Sequence, residues 1–342
     1  MTPGPGAPAM TPITVMGTGS WGTTFAVVLA DAGARVCLWG RRPEVCAQIV
    51  ERHRNPEYLG DLPLPDTITA DPDPARALEG AELVVLALPS QSLRDNLGDW
   101  KPLIPSSACL VSLMKGVELG TSRRMSEVIA EATGAGPGRI AVVSGPNLAR
   151  EIAARQPTAT VVASAEVEVA ERVAQACSTA YFRPYTNTDV VGVELGGAVK
   201  NVIALAVGIA EGMGLGDNSK ASIITRGLAE TTRLALALGA QPATLAGLAG
   251  LGDLVATCAS PLSRNRTFGT HLGRGLPVDE VIALTRQTAE AVKSCRPILD
   301  LARSHGVEMP IVEQVVAVVY EGLPVAEMGA RLLSRARKDE RG

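Results

Sequence analysis

From residue 13 to about residue 187, short runs of apolar residues alternate with segments of helical periodicity. The runs at Ile13–Met16, Arg35–Trp39, Leu83–Leu88, Ala108–Leu113, Ile140–Val143, Thr158–Ser164 and Tyr181–Thr186 predict strands, with a helix at about 165–180 between the last two. Apolar residues that follow one another without alternation suit strands buried on both faces, and hence a parallel sheet. Strand–helix alternation of this kind predicts a doubly wound α/β unit. After about residue 190 the strand signal ends. The stretches 194–212, 219–239, 265–273, 278–287, 289–305, 310–321 and 325–337 carry helical spacing, which predicts an all-α second half. The expected organisation is a tail at 1–11, an α/β domain at 12–188 and an all-α C-terminal substrate domain at 189–338.

Composition adds exclusions. Of 342 residues, 46% are hydrophobic and 20% charged, an ordinary soluble globular balance. A net charge of -3 gives no basic field, so nucleic acid is not expected as a partner. The opening MTPGPGAPAMTP reads as a disordered tail without the basic flank and apolar core of a signal peptide, and Met10 is an alternative start. The uncharged run 201–210 covers about half a membrane span, so no integral membrane contact is expected. Six cysteines are scattered without a CxxC pair or metal-ligand spacing, and read as reduced thiols of a cytoplasmic protein. With three histidines, a multi-His metal site is not expected.

Chemistry first shows after the first strand. Gly17-Thr18-Gly19-Ser20-Trp21-Gly22 joins that strand to a helix ending near Asp31-Ala32-Gly33, the setting that gives a GxGxxG run its meaning. Gly17 permits the tight turn, Gly19 lets the backbone approach a pyrophosphate, and Gly22 allows close helix packing. The helix N-terminus faces the anion. The N-terminal domain is therefore predicted to be a Rossmann-type, dinucleotide-binding one. An NAD site usually carries an acid at the end of the second strand, for the ribose 2′-hydroxyl. This chain has Arg41 and Arg42 there, a chemistry suited to a 2′-phosphate, which predicts NADP(H) as the preferred cofactor with NAD(H) possible. Leu88-Pro89-Ser90-Gln91 ends another strand on the side where ligands bind and is expected to line the cofactor path.

Lys200 is the one charged residue between Leu195 and Ala210. On a helix this apolar it either snorkels its ammonium to water or sits desolvated beside a ligand, where it titrates more readily toward neutrality. Other candidates cluster at strand ends and loops: Lys115-Gly116-Val117-Glu118, Ser144-Gly145-Pro146-Asn147, and Asn201 beside Lys200. Further on, LAGLGDLVAT brings Asp253, able to orient or charge-balance Lys200, and Thr257. Ser263 is a candidate N-cap for a helix beginning near Asn265, and Arg264 with the free N–H groups of that helix would hold a dianion. No tyrosine has a lysine four residues later, which excludes a Tyr-xxx-Lys mechanism.

These clusters, in this order, resemble the NAD(P)-dependent sn-glycerol-3-phosphate dehydrogenases of the bacterial type. The matching text is GTGSWGT, NPEYL, LPSQSLR, KGVELGT, SGPNLA, ELGGAVKNVIALAVGIAEGMGLGDNSKA, ITRGLAE, AGLGDLVATC and SRNRTFG, over roughly residues 13–340. The resemblance implies reversible reduction of dihydroxyacetone phosphate to sn-glycerol 3-phosphate, which supplies phospholipid synthesis. It implies Lys200 as proton donor or acceptor. Lys115, Gly145, Asn147, Asp253, Ser263, Arg264 and Asn265 are implied around the substrate, to which Asn201 and Thr257 are added. Ser20, Trp21, Arg41, Arg42, Lys115, Ala149, Arg264 and Glu290 are expected in the cofactor site with Gly17, Gly19 and Gly22. Asn147 stands where the family usually has a Ser or Thr hydroxyl, and Thr288-Ala289-Glu290-Ala291 matches less closely. A homodimer is expected. The alternative is a β-hydroxyacid or ketopantoate-type reductase, which shares the architecture and a lysine but needs no phosphate site.

Overall fold

A computed structural model describes residues 11–285 and 289–333. The predicted tail, apart from Thr11, lies outside the described residues. So do residues 286–288 and the chain beyond 333, which include Thr288 and the ends of the helices expected at 278–287 and 325–337. The chain divides into two compact units. Of the described residues, one comprises those up to Met114 together with Met125–Val190, and the other comprises Lys115–Arg124 with those from Val191 onward. Ten residues between a strand and a helix of the first unit thus belong to the second, which a division at residue 188 did not anticipate.

The first unit is built on strands β1 (Pro12–Met16), β2 (Arg35–Trp39), β3 (Ile68–Asp71), β4 (Leu83–Leu86), β5 (Cys109–Ser112), β6 (Ile140–Ser144), β7 (Thr158–Ser164) and β8 (Phe182–Asn187). Its helices are α1 (Ser20–Asp31), α2 (Pro43–Arg52), α3 (Pro56–Leu59), α4 (Pro74–Leu78), α5 (Leu93–Trp100), α6 (Met125–Thr133), α7 (Ala149–Ala153) and α8 (Val167–Ala176). The strands form one sheet in the order β3-β2-β1-β4-β5-β6-β7-β8. The order reverses between β1 and β4, the point at which sheets of this kind bind nucleotides. Two separate apolar clusters, one around Phe25 and Phe182 and one around Trp39 and Trp100, draw alternate residues from the strands. Continuous apolar strands are what such burial on both faces requires.

Two features differ from the sequence expectation. β3 is an additional edge strand, and β7 runs antiparallel to β6, so the sheet is mixed rather than purely parallel. A strand buried on both faces reads the same in either direction, so periodicity carries no record of β7's orientation.

The second unit holds α9 (Val190–Gly212), α10 (Asp217–Ala237), α11 (Pro242–Ala246), α12 (Asp253–Ala259), α13 (Arg264–Gly273), α14 (Val278–Leu284), α15 (Glu290–Ser304), α16 (Pro310–Tyr320) and α17 (Val325–Leu333). Among the described residues, α9 is the one helix long and apolar enough to cross a membrane, but 89% of its apolar window is buried within the protein. It is the core helix of the unit, packed among Leu234, Leu254, Phe268 and Ile298. A helix that is apolar all round is stable in that position.

Candidate active site

In the first unit the turn after β1 fits a dinucleotide. Gly17 has φ of +134°, and a Cβ there would lie 2.4 Å from the Ala87 carbonyl oxygen beyond β4. Only glycine fits such a conformation and approach. A Cβ on Gly19 would meet nothing within 4 Å, so the backbone is open to a close-lying group at that point. Gly19 precedes α1, whose first residues are Ser20 and Trp21, and no side chain caps its N–H groups. Such a helix start suits a pyrophosphate. The Trp21 indole N–H is buried with no protein partner. Ala149 begins α7 and is tied to α1 by the Thr24 hydroxyl, which donates to the Ala149 carbonyl at 3.2 Å.

Arg41 and Arg42 follow β2 on the same edge. Arg41 is exposed. Arg42 donates from Nη2 to Glu57 Oε2 at 2.7 Å, and its Nε lies 4.0 Å from Glu44 Oε1. The sequence places no acid at the end of β2, yet the fold brings two carboxylates to Arg42 from α2 and α3.

The turn after β6 is tightly built. Gly145 has φ of +140°, and Asn147 donates from Nδ2 to the Thr160 hydroxyl at 3.0 Å. Thr160 in turn donates to the Ser144 carbonyl. That leaves Asn147 Oδ1 buried without a protein partner.

The second unit brings together the candidates from three distant parts of the chain. Lys200 is only 7% exposed, so it does not snorkel. Its Nζ donates to Asp253 Oδ1 and, at 2.7 Å, to the Thr257 hydroxyl. The other oxygen of Asp253 accepts from Lys115 Nζ at 2.6 Å. One buried carboxylate therefore holds two ammonium groups, 53 and 138 residues away in the chain. Burial pushes the Lys200 pKa down to about 7. The Asp253 charge opposes the shift and the neighbouring Lys115 charge adds to it. Such a lysine gains and loses its proton near neutrality, as a general acid or base must.

Asn201, next on α9, reaches back to the Lys115 carbonyl at 3.4 Å. Asn265 donates to Asn201 Oδ1 at 2.9 Å, and its own Oδ1 accepts the Ala291 N–H at the start of α15. The Asn265 amide is thus spent largely on joining α9, α13 and α15. Ser263 caps α13 by accepting the Arg266 N–H at 3.3 Å, and Arg264 is the first residue of that helix. Glu290 is the first residue of α15. Among the described residues, no group of three or more His, Cys, Asp or Glu side chains is arranged to hold a metal ion.

Family models settle the kinship. Residues 12–170 match the NAD-dependent glycerol-3-phosphate dehydrogenase N-terminus and residues 189–330 match its C-terminus. The chain belongs to the glycerol-3-phosphate dehydrogenase family. A glycerol-3-phosphate dehydrogenase [NAD(P)+] of Streptomyces griseus is 64% identical over 327 residues, covering 96% of this chain and 97% of the relative. The crystal structure of a glycerol-3-phosphate dehydrogenase from Coxiella burnetii superposes with a TM-score of 0.92 at 39% identity, over 96% of this chain and 100% of that one. A ketopantoate reductase from Ralstonia eutropha, representing the alternative class, has a TM-score of 0.61 at 18% identity, over 93% of this chain and 100% of that one, and shares the fold alone.

Within this dehydrogenase family fold, the site rests on contacts that the sequence motifs did not single out. Arg124 Nη1 donates to Glu194 Oε2 at 2.6 Å, with both side chains largely buried. Val117 is fully buried in the helical core and is bridged to Arg124. Together these fix both ends of the Lys115–Arg124 segment on the unit that carries Lys200. Glu194 opens the apolar ELGGAVKN run, and an acid at the head of a buried helix needs a cation, which was the available signal.

Proposed function

We propose that this protein reversibly reduces dihydroxyacetone phosphate to sn-glycerol 3-phosphate with NADP(H), and with NAD(H) as a second cofactor. The observation that carries the reading is the Asp253 carboxylate shared between Lys200 and Lys115, with the Lys200 pKa brought near 7. The nicotinamide, when bound, supplies or accepts the hydride. In the reductive direction C2 of the substrate gains that hydride while the carbonyl π electrons move onto oxygen. The Lys200 ammonium stabilises the growing charge and gives its proton to the same oxygen. Neutral Lys200 then regains a proton from solvent. In the oxidative direction neutral Lys200 takes the hydroxyl proton.

Asp253 and Thr257 fix the position of the Lys200 amine, so its proton is delivered from a defined point. Lys115 and Asn201 orient the substrate. Arg264 and the N-terminal N–H groups of α13 hold its phosphate, a remote contact that places the carbonyl for reaction. The product is the phosphorylated glycerol unit of phospholipids, and the protein is expected to act in the cytoplasm as a homodimer.

The test is reduction of dihydroxyacetone phosphate by the full chain, followed at 340 nm with NADPH and NADH separately. Substrate-dependent oxidation of the cofactor is expected, and its absence with both would overturn the reading. Lys200→Ala is expected to abolish turnover while leaving NADPH binding intact.

A further inference from the structure

The ion pair between Arg42 and Glu57 is a consequence of how α3 is anchored. Asn55, 1% exposed, donates from Nδ2 to the Thr18 carbonyl and to the Thr23 hydroxyl, both at 2.9 Å. Its own carbonyl accepts the Leu59 N–H and so closes the α3 turn. The segment Asn55–Leu59 is thereby tied to the glycine-rich turn, with Glu57 beside the residues that follow β2. Gly40 comes so near the same turn that a Cβ would lie 2.7 Å from the Thr18 side chain. The arginine and the glutamate are therefore set on one surface by two separate attachments to one loop.

We infer that Glu57 is a specificity-determining residue, which weakens the preference for a 2′-phosphorylated dinucleotide by competing for Arg42. The inference rests on the proposed role of Arg41 and Arg42 in the cofactor site. A 2′-phosphate carries between one and two negative charges at neutral pH and needs the guanidinium that Glu57 already holds. It also meets the repulsion of the Glu57 carboxylate. A 2′-hydroxyl meets neither obstacle, and a carboxylate is the group that usually accompanies it. One arginine left exposed and one shared with a carboxylate thus yield a site that accepts both cofactors. Glu44, at 4.0 Å from Arg42 Nε, acts in the same direction more weakly.

The test is calorimetric titration of the full chain with NAD+ and with NADP+. Glu57→Gln keeps the size of the side chain and removes its charge. The ratio Kd(NAD+)/Kd(NADP+) is expected to rise about threefold to tenfold, the range for a single exposed charge pair plus relief of repulsion. The Kd for NAD+ is expected to stay within about twofold. Glu44→Gln is expected to give a smaller rise, and both effects are expected to shrink in 1 M salt, where the screening length is about 3 Å. An unchanged ratio in Glu57→Gln, with Arg42→Ala weakening NADP+ alone, overturns the role of Glu57 and leaves the arginine site standing. An unchanged NADP+ affinity in Arg42→Ala overturns both. The same ratio read from kcat/KM is expected to shift in parallel.

Discussion

Gly196 and Lys200 lie one turn apart on the same face of α9. The missing side chain of the first sets the surroundings of the second. A Cβ on Gly196 would come within 2.5 Å of the Ala249 carbonyl oxygen. Ala249 belongs to the π-helical turn Leu248–Gly252 that leads directly into Asp253. The close approach at Gly196 therefore brings Asp253 within reach of the Lys200 amine. Gly196→Ala is expected to cost about 1–3 kcal/mol of stability, as overpacking does, and to lower kcat by moving the carboxylate. Thermal unfolding and steady-state kinetics check both. A variant of wild-type kcat would show that this contact does not position the pair.

Lys200 predicts opposite pH dependences for the two directions of reaction. Reduction needs its ammonium, so kcat/KM for dihydroxyacetone phosphate should fall as pH rises through about 7. Oxidation needs the neutral amine, so kcat/KM for glycerol 3-phosphate should rise over the same range. The second ionisation of a phosphate, near 6, affects both substrates alike. The proton consumed in reduction makes the two profiles diverge whichever group delivers it, so a bend near 7 shared by both is what isolates the lysine. Profiles without a bend near 7 in either direction would remove Lys200 from the proton transfer.

Much of this arrangement was legible from local text, and the rest depended on distance. The glycine-rich turn, the strands around it and the isolated lysine of α9 stand out because periodicity and composition change sharply there. β3, with the short run Ile68–Asp71, carries too few apolar residues to register. α11, the π-helical turn and α12 are hidden by the glycines of AGLAGLGD, which local propensity reads as loop and tertiary packing makes helical. The pairing of Lys115 with Asp253 spans 138 residues, and that of Asn265 with Asn201 spans 64. No spacing rule reaches so far. The same holds for Glu57: NPEYL was visible as a motif, but only the Asn55 anchor shows that its acid meets Arg42.

Arg264 separates a phosphate-dependent enzyme from a reductase that needs none. Arg264→Ala is expected to lower kcat/KM for dihydroxyacetone phosphate by about 10- to 100-fold, the value of hydrogen bonds to a charged group. The same substitution should leave any activity on dihydroxyacetone, which has no phosphate, nearly unchanged. Equal losses on both substrates would show that Arg264 acts through the fold or the cofactor instead.

Glu230 predicts a pH dependence of stability that is independent of catalysis. It lies on α10, 3% exposed, and its carboxyl accepts the Ile311 N–H at 2.9 Å and the Val312 N–H at 3.5 Å in the first turn of α16. Burial pushes its pKa up from 4.5 to about 7, against the opposing pull of those N–H groups. The folded protein therefore holds this proton more tightly than the unfolded chain does. The stability this contributes is complete below about pH 4.5 and is lost as pH rises through about 7, amounting to roughly 3 kcal/mol. Glu230→Gln keeps an oxygen for the Ile311 N–H and cannot ionise. Its Tm should thus rise relative to wild type between pH 5 and pH 8, by several degrees. Two melting profiles that stay parallel over that interval would show that Glu230 does not take up a proton on folding.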